Sequence, residues 1–401
     1  MTAYDSVWDS PERKALRDSV TALTTNEIVP NLPQWEEDGM LPRELHQTTA
    51  KAGFLGLGFP EEVGGSGGDL VDVTVATESM LEAGGSGGVL ASLYTHGIAL
   101  PHIVENGSAD LIDRFVRPTL AGEKIGALGI TEPGTGSDVA SIRTRAVRDG
   151  DEYVINGAKM FITSGVRADF VTTVVRTGED GHGGLSLIVV EKGSPGFTVS
   201  KSLKKMGWWC SDTAELSYDD VRVPAENLVG EENQGFYYVM QQFVTERLGL
   251  ATQGYATAQR CLDLSVEYAR QRETFGKPLI GRQVIRHKLV EMHRRTDAAR
   301  KVTRLAVERA LEAAPPLRDP SVAAGGTPKT DMSLILDAVL AKNTAVAAVE
   351  WVANEAVQIH GGMGYMRESE VDRHFRDMRI LGIGGGANEV LTDLASKLLG
   401  Y

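Results

Sequence analysis

Between residues 241 and 276 the chain reads QQFVTERLGLATQGYATAQRCLDLSVEYARQRETFG, and its apolar positions return at helical intervals. Phe243, Leu248, Ala251 and Tyr255 fall on one side, no proline interrupts the run, and Gly276-Lys277-Pro278 supplies a stop signal. A helix is expected there. Glu246 stands in its first turns among Phe243, Val244, Leu248 and Leu250. Within the helix alone, such a carboxylate reads as a solvated group paired with Arg247 or Arg260. Further on, Ile285, Leu289, Met292, Thr296, Ala299, Val302 and Ala306 recur at three- and four-residue steps. Long helices of this kind pack naturally as an antiparallel bundle. Ala313 to Lys329, AAPPLRDPSVAAGGTPK, breaks that pattern and reads as an exposed, mobile loop.

The first part of the chain is also helical in pattern. Ser10-Pro11 is an N-cap with a first-turn proline, opening a helix that runs toward Pro30. A second helix starts at Pro42 and stops at Gly53; Asp69 and Ser108 are placed to cap two more, the last running into Pro118. Glycine clusters around Ser66 and Ser86 separate these helices, and both match the GxSxG elbow of hydrolases. That elbow needs a strand before the serine and a helix after it. Ser66 follows FPEEV and Ser86 follows a helical run ending in MLEA, so both read as loops and hydrolase chemistry is rejected.

From about Gly126 the texture turns to β. Asp149-Gly150 and Asn156-Gly157 are hairpin-type dipeptides, and the runs 170–175, 185–190 and 215–218 are short and rich in β-branched or aromatic residues. The expected fold is a multidomain α+β chain. It comprises an N-terminal helical domain (1–125), a middle β-barrel-like domain (126–236) and a C-terminal antiparallel helical bundle (237–401).

A formal net charge of -13 argues against a nucleic-acid footprint, which needs a basic face. Two cysteines, Cys210 and Cys261, without CxxC spacing make a disulfide framework or a structural zinc site unexpected. MTAYDSVWDS lacks the basic and apolar regions of a signal peptide. The most apolar helix, near 334–353, carries Asp337, Lys342, Asn343 and Glu350, which suits a buried helix better than a membrane span. A cytoplasmic protein is the expectation. There is no GxGxxG after a strand and no P-loop.

Four segments, in order, carry a resemblance: GITEPGTGSD (129–138), KMGWWCSDTAELSYDDVRVPAENLVGEENQGF (205–236), ERLGLA followed by RQRETFGKP, and QIHGGMGYMRE (358–368). Together they resemble the acyl-CoA dehydrogenase flavoenzymes over nearly the whole chain. The resemblance implies FAD, lined by Leu128, Ile130, Thr131, Gly136 and Ser137, with Ser137 also near the acyl thioester. Phe161 and Thr163 match the positions of an aromatic ring and a threonine beside the flavin; read alone, Phe161 would be core. Arg272, Phe275, Gln283, Gln358, His360, Gly361 and Gly362 match residues contributed by a neighbouring subunit, as in a homotetramer built from two dimers. His360 has no partner at ligand spacing, so no metal is expected.

The implied reaction is α,β-dehydrogenation of an acyl-CoA. A carboxylate removes the α-proton, the β-hydrogen leaves as hydride to the flavin, and a ribityl hydroxyl with one backbone N–H holds the thioester oxygen. Many relatives place that carboxylate in a C-terminal YEGTNE motif. Here the matching residues are Gly384, Gly385, Gly386, Ala387, Asn388 and Glu389, and Gly385 occupies the base position. Long-chain and isovaleryl-type members instead carry the base on the earlier helix, just before an Arg-Leu pair, with Gly at the later position. Thr245-Glu246-Arg247-Leu248 together with Gly385 reproduces both halves of that exchange. Glu246 is therefore the expected base, its pKa raised by burial, with the Gly385 N–H at the thioester oxygen. Arg247, Gly384, Gly385 and Gly386 are expected at the substrate, the glycines leaving volume for a branched or bulky acyl group. Ala387, Asn388 and Glu389 fall on the flavin side, and Glu389 is the competing carboxylate. An electron-transferring flavoprotein is the expected acceptor and acyl-CoA the substrate, with a carrier-protein thioester also open. An acyl-CoA oxidase and a flavin-dependent monooxygenase are the alternatives on the same fold. A nucleic-acid-associated relative is disfavoured because LASKLLGY follows the motif directly.

Overall fold

The computed structural model describes residues 7–313 and 331–401. The break expected after Ala313 thus lies outside the described residues. Three parts follow one another: helices, a mixed sheet, then long helices.

The helices of the first part start where capping chemistry places them. Ser10 accepts from the Arg13 N–H at the head of α1 (Pro11–Leu23), and Pro42 precedes α2 (Arg43–Lys51). α3 (Leu70–Glu82) opens with a capping box in which Asp69 and Asp72 satisfy each other's backbone N–H groups. Ser86 caps α4 (Gly87–Leu93), so the second glycine cluster is a packed helix start rather than a loose connection. A β-carbon on Gly88 would meet Cys210 Sγ at 2.9 Å. α5 (Pro101–Asn106) follows, and the segment capped by Ser108 runs on through Pro118 to Leu120 by way of a π-helical turn.

The middle part is an eight-stranded sheet. Its strands are β1 (Gly126–Gly129), β2 (Arg145–Asp149), β3 (Glu152–Thr163), β4 (Phe170–Arg176), β5 (Leu185–Glu191), β6 (Phe197–Ser202), β7 (Thr213–Pro224) and β8 (Leu228–Val229). The order is β6-β7-β3-β2-β4-β5-β8, with β1 parallel to β4. Asp149-Gly150 does turn β2 into β3, but Asn156-Gly157 lies inside β3. The register against β7 shifts there, a β-carbon on Gly157 would meet Thr144 Oγ1 at 2.5 Å, and Asn156 pairs with Asp220 across the sheet. The dipeptide serves a bulge, not a turn.

The third part begins with α6 (Gly235–Gln271). Glycine at its head lets the helix press on β5, since a β-carbon there would meet Ser186 at 2.7 Å. The helix ends at Gln271, earlier than its periodicity suggests. RETFG is instead a two-stranded ribbon, Glu273–Thr274 against Lys277–Pro278, turned by Phe275 and Gly276 at positive φ. α7 (Gln283–Ala313) runs antiparallel to α8 (Met332–His360), as the Lys288–Glu355 and Arg309–Asp337 ion pairs show. The buried stripe of α7 takes Thr303 and leaves Val302 exposed. α6 and α8 pack closely through small residues; Ala251, Ala338, Ala341 and Ala345 are buried in one cluster, and a β-carbon on Gly254 would sit 3.3 Å from Ala345. α9 (Glu370–Met378) and α10 (Asn388–Leu398) complete the chain. Among the described residues one helical stretch, Met332–Tyr365, is long and apolar enough to cross a membrane; it is the central bundle helix, packed between α6 and α7.

Candidate active site

Close approach of α6 and α8 brings Glu246, Lys342 and the loop before α10 together. Glu246 is half-buried on α6. A β-carbon built on Gly385 would stand 3.5 Å from Glu246 Oε1 and 2.5 Å from Leu250 Cδ1. Positions 246 and 385 therefore address the same point in space. Gly385 has φ +64 and Gly386 φ +103, so the backbone itself asks for glycine at both. The Gly385 N–H has no hydrogen-bond partner among the described residues, while its carbonyl accepts from Arg247 Nε at 3.3 Å. The Arg247 guanidinium also lies over the Phe243 ring, 5.1 Å from its centroid. A β-carbon on Gly386 would meet Leu391, and one on Gly384 would have the Ile380 carbonyl oxygen as its nearest neighbour at 3.6 Å.

Sequence reasoning passed over Lys342. Its side chain is fully buried and Nζ donates to the Gly386 carbonyl at 2.6 Å. Burial, and then the Arg247 charge, push its pKa down to about 8, against the opposing pull of Glu246. Burial raises the Glu246 pKa above the ordinary carboxylate value, while Arg247 and Lys342 work to lower it. The signal for Lys342 was present as a lone cation in an otherwise apolar helix. Glu389, by contrast, is exposed on the first turn of α10, and Asn388 Oδ1 beside it is buried without a partner among the described residues.

Glu246 borders a narrow cleft between α5, β1 and α6, lined by Ile98, His102, Leu128, Gln242 and Phe243. A wider groove lined by Leu262, Val266, Leu289 and Val290 lies farther along α6, and Glu246 and Lys342 do not border it. Chemistry converges on the smaller space.

The loop after β1 is rigidly built. The Thr131 carbonyl accepts from the Met160 N–H at 2.8 Å and the Ile130 carbonyl from Lys159 Nζ at 3.0 Å. Buried Glu132 accepts from Lys159 Nζ and from the Arg143 and Thr144 N–H groups, each at 2.8 Å. Burial would raise its pKa, and Lys159 with these donors holds it below the usual value. Gly136 and Ser137 stand exposed at the tip. Phe161 is not core: it is 63% exposed at φ 62, on a stretch of β3 where the register against β7 shifts, and Thr163 is half-buried two residues on. A bulky residue in the left-handed region is a genuine outlier, the kind of strain that concentrates at functional sites.

At the far end of the bundle, Tyr268 stacks on His360 with centroids 4.4 Å apart. This joins the C-terminal ends of α6 and α8. His360 Nδ1 donates to the Ala356 carbonyl at 2.8 Å, which leaves Nε2 as the acceptor in the neutral ring, and burial lowers its pKa. Arg272, Phe275, Gln283, Gln358, Gly361 and Gly362 are all exposed there, Phe275 by 97%. An exposed arginine and an exposed aromatic ring together suit a dinucleotide's phosphates and ring. Among the described residues no group of three or more His, Cys, Asp or Glu could hold a metal ion.

Family profiles match the chain in three consecutive blocks: the acyl-CoA dehydrogenase N-terminal domain at residues 10–123, the middle domain at 127–221 and the C-terminal domain at 233–399. The mitochondrial long-chain specific acyl-CoA dehydrogenase of Rattus norvegicus is 37% identical over 97% of this chain and 86% of its own length. A probable acyl-CoA dehydrogenase from Mycobacterium abscessus, known by crystal structure, is 60% identical with a TM-score of 0.93, covering 98% of this chain and 100% of that one. A glutaryl-CoA dehydrogenase from Mycobacterium smegmatis, solved in complex with FADH2, superposes with a TM-score of 0.86 at 26% identity, covering 98% and 95% of the two chains. The chain belongs to the acyl-CoA dehydrogenase family of FAD-dependent oxidoreductases acting on acyl-CoA.

Proposed function

We propose that this protein oxidises an acyl-CoA to its trans-2-enoyl-CoA with Glu246 as the base. The observation that carries the reading is the convergence of Glu246 and Gly385, from separate segments, on one point at the mouth of a cleft. A carboxylate within reach of an α-carbon, with its pKa raised by burial, is suited to accept a proton and hold it. The unpartnered Gly385 N–H is free to donate to the thioester oxygen as negative charge develops there, while Arg247 holds the carbonyl on the other side of the same residue. The substrate thus loses its α-proton to Glu246. FAD, when bound, supplies the acceptor for the β-hydrogen, which leaves as a hydride. The residues that would hold it are Ile130, Thr131, Gly136, Ser137, Phe161 and Thr163 in one subunit, and Arg272, Phe275, Gln283 and 358–362 in a neighbour. A homotetramer of two flavin-sharing dimers, passing electrons to an electron-transferring flavoprotein, completes the reading.

Glu246→Gln tests it. The amide keeps the shape of the side chain and cannot take the proton. The variant should retain FAD and bind acyl-CoA, yet bleach the flavin at least about 10²–10⁴-fold more slowly in anaerobic mixing. Bleaching at the wild-type rate would remove Glu246 from the mechanism.

A further inference from the structure

The cleft beside Glu246 is not uniformly apolar, and its polar groups have no task in the chemistry above. His102, on α5, is 1% exposed and borders the cleft; its Nδ1 is buried with no hydrogen-bond partner among the described residues. Gln242 borders the same cleft one helical turn before Glu246, about 6 Å along the axis. Its Nε2 donates to Glu105 Oε1 at 2.9 Å, and Thr245 Oγ1 stands 3.5 Å from its Oε1. Resting on the dehydrogenase reading, we propose that His102 and Gln242 form a polar subsite for the distal part of the acyl chain, and that the substrate is an acyl-CoA bearing a neutral oxygen there, a hydroxyl above all.

A plain alkyl chain filling this cleft would seal the His102 ring nitrogen against methylenes and leave it unsatisfied, and would give Gln242 Oε1 no donor beyond Thr245 at 3.5 Å. A hydroxyl both donates and accepts, matching a neutral imidazole and an amide together. Burial alone pushes the His102 pKa down to about 4, so the ring is neutral at ordinary pH and offers no charge to a carboxylate tail. Burial likewise pushes Glu105 up to about 7, which weakens its pull on an ammonium tail, and Gln242 already occupies its Oε1. A neutral hydrogen-bonding group is what remains.

The test compares pentanoyl-CoA with 4-hydroxypentanoyl- and 5-hydroxypentanoyl-CoA. Affinity is read from the flavin absorbance shift in the holo Glu246→Gln protein, and bleaching rate from the wild-type holoenzyme. One of the hydroxyacyl ligands should bind at least about tenfold tighter than the alkyl one, because a site built to bond a hydroxyl rejects the analogue that lacks it. The ratio should fall toward one when His102→Leu or Gln242→Leu is added. Equal or tighter binding of pentanoyl-CoA overturns the proposal, as does a ratio unchanged in both leucine variants. If no acyl-CoA bleaches the wild-type flavin while the hydroxyacyl preference persists in binding, the dehydrogenase reading fails and the subsite stands.

Discussion

Glu246 has two cationic neighbours with different duties. Arg247 is adjacent in sequence and is committed to the Gly385 carbonyl and the Phe243 ring. Lys342 arrives from α8, fully buried, and holds the Gly386 carbonyl while its charge favours the ionised form of Glu246. Replacing Lys342 with Met keeps the stem and removes that charge. On the proposed reading Glu246 must be ionised to accept the α-proton, so kcat/KM should rise with pH through its pKa. Loss of a nearby positive charge raises that pKa further. The acidic limb of the kcat/KM profile should therefore move to higher pH, with the largest loss of activity on its acid side. A limb that stays in place would confine Lys342 to holding the loop. The Gly386 carbonyl would also lose its donor, and a fall in stability of about 1–3 kcal/mol should appear as a lower Tm.

At the scale of elements, the loop between β1 and β2 is held from within by Glu132. Glu132→Ala leaves Lys159 buried without its counter-charge, a change that costs about 3–5 kcal/mol when one partner of a buried pair is removed. The expected outcome is a lower Tm together with a reduced flavin-to-protein ratio, since the carbonyls of Ile130 and Thr131 frame the loop that ends at Ser137. A wild-type Tm would show that the loop stands without the pair. Most elements were legible from the sequence because their signals are local: caps at Ser10, Asp69 and Ser108, and small or apolar stripes at helical spacing. What was not legible depended on partners far along the chain. Asn156-Gly157 has the composition of a turn but answers to Thr144 and Asp220, and Val302 yields to Thr303 because α8 and α6 decide which face of α7 is covered. The Glu246–Gly385 exchange could be read as a pattern, whereas Glu132 could not, and Lys342 showed only as a lone cation on an apolar helix with no hint of its role. Their importance lies in burial and in a carbonyl or amide partner, neither of which a residue letter displays.

On the scale of the whole molecule, Phe161 and Phe275 are aromatic rings turned outward at positive φ, in the β part and at the far end of the bundle respectively. Strain of that kind costs about 1–3 kcal/mol and clusters at functional sites. Phe275→Ala should leave the Tm of the apo-protein unchanged, because a side chain 97% exposed contributes little packing within its own chain. On the proposed shared-site reading it should nevertheless weaken flavin retention and shift the sedimentation of the holoenzyme toward smaller species; full retention with unchanged sedimentation would remove Phe275 from the proposed site. The meeting of positions 246 and 385 carries a historical consequence as well. Two surfaces that face one point can trade a carboxylate between them, but the order of events is constrained. A lineage that first lost the acid on one side would pass through a silent enzyme. One that first gained the second acid would pass through a pair of carboxyls crowded enough to share a single proton, one of them still ionised and able to work.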